Sequence, residues 1–366
     1  MKSLSVIDIT KHLVRMNTIN PPGREDQAMR YLAGLLDGAG FKTEIIITGL
    51  DRSCLVASLA GRDDAIALTG HLDTVPLGAE NWSADPFAGE IRDGKLYGRG
   101  TTDMKGGVAA LVVAAINAKA AGSKRAVSLI FTSGEETGCE GARYLAESGR
   151  LGKASSLLVA EPTSNKVCIG HKGAFWIRLR YSGRTAHGSM PELGDNAVLK
   201  AAAALPALRD LDLGGDAHAY LGRPSLNIGS FHGGANVNSV PDRAVVEIDM
   251  RTLPGQRHDL ILQKIRNVSN AAEIEILNDL PGVWTEPNAA FVARVNDAAI
   301  RAGVSSEPTA APYFTDASIL TAALGNPETV ILGPGEMAMA HKTDEYCEVA
   351  KLHQAVEIYT DCLMSG

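Results

Sequence analysis

Five short β-rich runs, KTEIIIT, CLVASL, AIALTG, VSLIFTS and SSLLVA, fall within the first 165 residues or so, with helical patterns among them. REDQAMRYLAGLLDGAG repeats apolar residues at three- and four-residue spacing and stops at glycines. Further helices are predicted after Gly107 and around Ala142. This alternation constrains the fold more than any other feature. It predicts an α/β sheet with helices on both faces.

The pattern changes near Gly173. FWIRLRYSG, SLNIGSFHGG, RAVVEIDMRTL and EIEILNDL read as strands, and DNAVLKAAAALPAL and HDLILQKIRNVSNAA as helices. Two long, antiparallel-looking strands for each helix indicate an inserted α+β domain. After Pro281-Gly282 the first pattern returns, with the helix NAAFVARVNDAAIRAG, the strand TVILG and a last helix. The expected division is residues 1–173 with 283–366, interrupted by 174–282.

With 366 residues, 45% of them hydrophobic and 21% charged, the chain has the composition of an ordinary globular protein. A net charge of -7 argues against nucleic acid or an anionic membrane surface as a partner. Five cysteines without a C-x-x-C pair read as reduced thiols. MKSLSVIDITKHLVRMN reads as a short amphipathic helix and not a signal peptide. VAALVVAAINAKAAG is too short to span a bilayer. The expected location is the cytoplasm.

Acidic residues and histidines then gather where strands end. TGHLDTVP follows the strand AIAL with His71 and Asp73, and residues two apart on a strand share a face. The carboxyl ends of strands are where ligands collect in open α/β sheets. GRGTTDMKGG places Asp103 just before a helix; VSLIFTSGEETG delivers Glu135 and Glu136; SSLLVAEPT delivers Glu161; GEMAMAHKTDEYCE offers His341. Each alone has an ordinary explanation, such as an N-cap for Asp103. Together they leave one sheet and should converge. Crowded carboxylates repel, and a bound cation removes that problem. Imidazole and carboxylate without thiolate suit Zn²⁺, Co²⁺ or Mn²⁺. The donors exceed one four-coordinate ion that keeps a water. They fit two ions about 3.5–4 Å apart with one carboxylate bridging. Asp73 is then expected to take the second N–H of a metal-bound His71 and orient it.

TGHLDTVP, GRGTTDMKGG, TSGEETG, AEPT and AMAHKTDEY, in that order, resemble the motif series of the M20 family of dinuclear zinc amidohydrolases. Within it they most resemble the acetylornithine deacetylase and succinyl-diaminopimelate desuccinylase group. The resemblance implies a zinc-exopeptidase-like mixed sheet with an inserted lid and dimerisation domain, and a homodimer formed through it. It implies two Zn²⁺, with Co²⁺ or Mn²⁺ as substitutes. Asp103 would bridge them, His71 and Glu161 completing one site and Glu136 and His341 the other. Glu135 would be the general base, and the peptide bond after Asp103 would be cis. His187, in GRTAHGSMPE, matches a lid histidine that reaches the partner subunit's active site. Asn238 and Arg251 match substrate-contacting positions, and Gly333 in LGPGE matches a loop beside the site. The activity implied is hydrolysis of an N-acyl amino acid, or, alternatively, metallo-exopeptidase action on dipeptides or short peptides. APYFTDASIL departs from the patterns of both named enzymes and leaves the acyl group open.

Overall fold

The computed structural model describes residues 4–60, 65–304 and 307–364, so the first three residues of the N-terminal run lie outside it. The described chain divides into two compact units. One comprises residues 1–170, 284–311 and 315–366, and the other comprises 171–283 and 312–314.

The first unit is built on a mixed sheet. Lys42–Gly49, Arg52–Leu59 and Val127–Thr132 run antiparallel in turn. Ala65–His71, Ala154–Val159 and Glu328–Ile331 then continue parallel beside Val127–Thr132. Its inner strands are buried on both faces. Leu55, Leu68, Leu129 and Leu158 join one apolar cluster, while Val56, Ala67, Ile130 and Leu157 are buried outside it. A sheet covered twice needs such continuous apolar runs. The helices Val6–Arg15, Asp26–Gly38, Gly106–Ala120, Ala290–Arg301 and Val349–Met364 fill the cluster side. The helices Glu140–Ser148 and Ala317–Ala323 pack on each other, the former also on Arg52–Leu59. Gly106–Ala120 is buried nearly all round, which explains its unrelieved apolar sequence. Among the described residues no helix is long and apolar enough to cross a membrane.

The second unit is a four-stranded antiparallel sheet, ordered Ser225–Gly233, Arg243–Thr252, Gly173–Ser182, Glu273–Leu280. Here the strands alternate. Phe175, Ile177, Leu179, Val246 and Ile248 face the helices Ala197–Arg209 and His258–Ser269. On the other face Arg178 sits opposite both Glu247 and Glu275, at 2.7 and 3.1 Å, a cross-strand charge ladder.

Candidate metal centre

The three parallel strands at the middle of the first sheet end together. Thr69 is opposite both Ile130 and Val159, and His71 is opposite Thr132. Whatever follows these residues therefore emerges at one edge. His71 closes its strand, the turn after Thr132 carries Glu135 and Glu136, and Glu161 follows Val159. Asp103 arrives from the segment Thr101–Lys105 that leads into Gly106–Ala120, and its peptide bond to Met104 is cis. That helix is seated by Gly107, where any side chain would collide with the Ala160 carbonyl oxygen. The tight approach fixes the start of the helix beside Glu161.

Two donor groups result, and they share one residue. His71, Asp103 and Glu161 form the first, and Asp103, Glu136 and His341 the second. The His71 Nε2 lies 3.1 Å from Asp103 Oδ1 and 3.7 Å from Glu161 Oε1. The His341 Nε2 lies 3.3 Å from Asp103 Oδ2 and 3.1 Å from Glu136 Oε2. Each Asp103 oxygen thus faces a different imidazole. Glu135 is buried beside these groups yet belongs to neither.

The electrostatics of the cluster call for positive charge. Burial pushes the Glu135 and Glu161 carboxyls well above the usual range, and neighbouring carboxylates push them further. Glu136 is raised by burial and by the Asp103 charge. Burial works against a charged His71, yet its contacts with Asp103 and Asp73 hold it well above the ordinary histidine value. Hydrogen bonds to Asp103 and Glu136 raise His341 to about 10. The three glutamates are driven to keep protons and the two histidines to gain them, while Asp103, held between the two imidazoles, is pushed below the usual carboxylate range. One Glu136 oxygen, Oε1, is buried without a hydrogen-bond partner. Imidazole and carboxylate oxygen in two groups joined by one aspartate fit a pair of divalent ions.

Asp73 does more than its spacing from His71 suggested. It lies beyond the strand's last residue, and the His71 Nδ1 is 3.0 Å from the Asp73 main-chain oxygen and 3.5 Å from its carboxylate. A carbonyl can only accept, so Nδ1 carries a proton, and in the neutral ring Nε2 has the lone pair that a cation would take. The carboxylate mainly accepts from other groups: the N–H groups of Glu135 and Glu136 at 3.1 and 3.2 Å, and the Asn20 amide at 3.0 Å. It anchors the turn that bears both glutamates.

The remaining candidates belong to neither donor group. His187 and Asn238 come together in the second unit, where Ser239 bridges His187 and Gly188 donates to the Asn238 carbonyl at 2.7 Å. The Ser189 N–H donates to the Nδ1 of the exposed His187, so Nδ1 accepts and a ring proton sits on Nε2. Arg251 turns its Nε and Nη2 edge onto Asp249, 2.9 Å away at the nearest, with Trp176 and Phe314 flanking it. Gly333 is buried. Its N–H donates to Thr163, its carbonyl accepts from Asn165, and it packs against the main chain of Ala160 and Glu161.

Several buried polar residues were not foreseen. Asn20 donates to Asp73 and to Thr137; Asp316 accepts from Thr132 and is raised to about 6 by burial; Lys105 donates to the Met16 carbonyl and is lowered to about 7 by burial. Arg99 and Glu345 form a buried ion pair. Arg99, Lys105, Asp316 and Glu345 carried a signal, as polar residues inside the quoted stretches, and Asn20 did not.

Residues 67–365 match the family model described as Peptidase family M20/M25/M40. The chain belongs to that family. A probable succinyl-diaminopimelate desuccinylase of Staphylococcus aureus strain MRSA252 is 30% identical, over 97% of this chain and 96% of its own. An acetylornithine deacetylase of Klebsiella pneumoniae strain 342 is also 30% identical, over 88% of this chain and 86% of its own. Among solved structures, an M20 family metallo-carboxypeptidase from Sulfolobus solfataricus superposes with a TM-score of 0.84 at 19% identity, covering 99% of both chains. This M20 protein is thus a metal-dependent hydrolase with the family's fold, and both the α/β sheet expected from its strand pattern and the mixed sheet that the resemblance implied are present.

Proposed function

We propose that this M20 hydrolase cleaves the amide bond of an N-acyl amino acid, releasing a carboxylate and a free amine, as a desuccinylase or deacetylase does. The observation that carries the reading is the pair of donor groups sharing Asp103, with Glu135 adjacent but outside both. The S. aureus and K. pneumoniae relatives, named for a desuccinylase and a deacetylase, support the substrate class.

His71, Asp103 and Glu161 would hold one Zn²⁺, and Asp103, Glu136 and His341 the other, with Co²⁺ or Mn²⁺ able to substitute. When bound, the pair supplies Lewis acidity toward the amide carbonyl and acidifies water. Glu135 takes the proton of the attacking water and delivers it to the leaving amine. Its burial and its acidic neighbours, which raise its proton affinity, suit that exchange. Asp73 holds the Glu135 main chain and so aims the base. His187 presents an Nε2–H that would stabilise the developing oxyanion of a partner subunit's site in a homodimer. Arg251 and Asn238 would hold the substrate carboxylate, the guanidinium through the edge that Asp249 leaves open. Gly333 would serve through the Glu161 segment it packs on. In this reading residues 174–282 are the lid and dimer surface, and 1–173 with 283–366 the catalytic part.

The deciding experiment is an activity screen of the Zn²⁺- or Co²⁺-loaded protein on N-succinyl-, N-acetyl- and N-formyl-amino acids beside simple dipeptides. Turnover of the acyl amino acids is expected. Turnover confined to dipeptides would replace the proposal with the metallo-exopeptidase reading. Mixing His187→Ala with Glu135→Gln subunits should restore activity; inert mixtures, with subunit exchange demonstrated, would remove the shared site.

A further inference from the structure

A buried ion pair lies behind the metal centre and touches three of the segments that feed it. The Glu345 carboxylate accepts four hydrogen bonds. Oε1 takes the N–H groups of Thr102 and Asp103 at 2.8 and 3.1 Å, and Oε2 takes the N–H of Gly100 and the Arg99 Nη1 at 3.0 and 2.7 Å. Gly100, at φ +85°, turns the chain so that these N–H groups converge on one side chain. Arg99 continues outward. Its Nη1 donates to the Lys342 carbonyl at 3.2 Å, next to His341, and its Nη2 to the Pro76 carbonyl at 3.0 Å, just past His71 and Asp73. Two further ties run between the same segments: Gly98 N–H to the Glu345 carbonyl, and the Thr102 hydroxyl to the Tyr346 carbonyl at 2.6 Å.

Arg99 is 1% exposed and Glu345 is fully buried. Taking both charges out of water costs several kcal/mol per ion, and stability alone is a weak reason to keep them there. What the pair does specify is geometry. It fastens the loop bearing Asp103 to the loop bearing His341. The His341 loop is irregular, since His341 and Asp344 both have left-handed backbones and no strand or helix runs through residues 340–345. Its other ties lie past His341, where the Ser83 N–H donates to Asp344 at 2.8 Å and Tyr346–Glu348 pairs with Lys95–Tyr97, whereas the Arg99 bond to the Lys342 carbonyl is next to the histidine itself. Asp103 has a second anchor on its other side, because it leads into the helix that Gly107 seats against Ala160.

We propose that Arg99 and Glu345 are positioning residues for the Asp103–Glu136–His341 donor group, setting the reach from Asp103 to His341, and that the His71–Asp103–Glu161 group does not depend on them. This rests on the two-ion reading of the site. Neither residue reaches the substrate or an ion. Loss of the pair lets the His341 loop drift from Asp103, while the helix and the sheet keep Asp103 beside His71 and Glu161.

The test is calorimetric titration of the full-length, chelator-stripped protein with Zn²⁺. Wild type should take up two ions in two resolved steps. Glu345→Gln keeps the shape but turns an acceptor into an amide donor. It should leave the first step within about threefold and weaken the second by about 10–100-fold, the usual cost of losing a group that orients a ligand. Unchanged steps, or two steps weakened alike, would overturn the proposal, the latter because a general loosening predicts it. Fewer than two ions in the wild type would instead overturn the two-ion reading beneath it. If Glu345→Gln does not fold, Thr102→Val decides. It cuts only the tie to Tyr346, and a weakened second step with an intact first supports the proposal; two intact steps refute it.

Discussion

His71 and His341 face the same aspartate from opposite circumstances. The His71 side chain is 2% exposed, closes a sheet strand and has its tautomer fixed by the Asp73 carbonyl. The His341 side chain is 55% exposed and rides on a loop of left-handed turns. Their partners differ likewise: Glu161 follows a sheet strand, whereas Glu136 sits in a turn hung from Asp73. One half of the centre is thus made by the fold's central layer, and the other by loops that side chains must hold. A charge in the buried half is screened less by solvent, so the same ligands bind more firmly there.

The widest effect expected is on removal of metal. A strong chelator should abolish turnover, and a graded chelator titration should release one ion before the other. If the comparison is right, the ion released first comes from the His341 group, so that His341→Ala removes the early step of the titration and His71→Ala the late one. The reverse order would break the comparison.

Next in size is Glu135→Gln. It should cut kcat by about 10²–10⁴, the usual contribution of a positioned acid–base group, while two metal-binding steps persist. Wild-type turnover would remove Glu135 as the base. Loss of a metal step would make it a ligand and redraw both groups.

Smaller still is Asp73→Asn. Its carboxylate serves the Glu135–Glu136 turn and its main chain serves His71. An amide there can no longer accept from all three donors. We expect about a 10–100-fold loss of affinity for the ion of the Glu136 group. The His71 step should change less, since the carbonyl that fixes its ring remains. Equal losses at both steps would mean that the carboxylate, and not the carbonyl, orients His71.

Much of this was legible in the chain itself. AIALTG, VSLIFTS and SSLLVA announced strands because a sheet covered on both faces demands uninterrupted apolar residues. FWIRLRYSG and RAVVEIDMRTL announced a sheet covered on one face because they alternate. Three strands with acidic residues or histidine just past their ends then implied convergence, since parallel neighbours in register end at one edge. Less was legible about the means of support. Asn20 sits in a stretch with no distinguishing pattern, Arg99 and Asp316 sit in quoted stretches that do not say what they touch, and their roles come from partners 53, 246 and 184 positions away along the chain.

The sequence by itself determined which residue types could meet a cation and at which strand ends they would appear, because periodicity and turn residues act over a few positions. Tertiary structure alone decided that each Asp103 oxygen faces a different histidine, that Glu135 stands outside both groups, and that Asp73 grips a turn as well as a ring. Those outcomes depend on contacts of 3.1 and 3.3 Å between segments far apart in the chain, and only the packed core fixes distances of that kind.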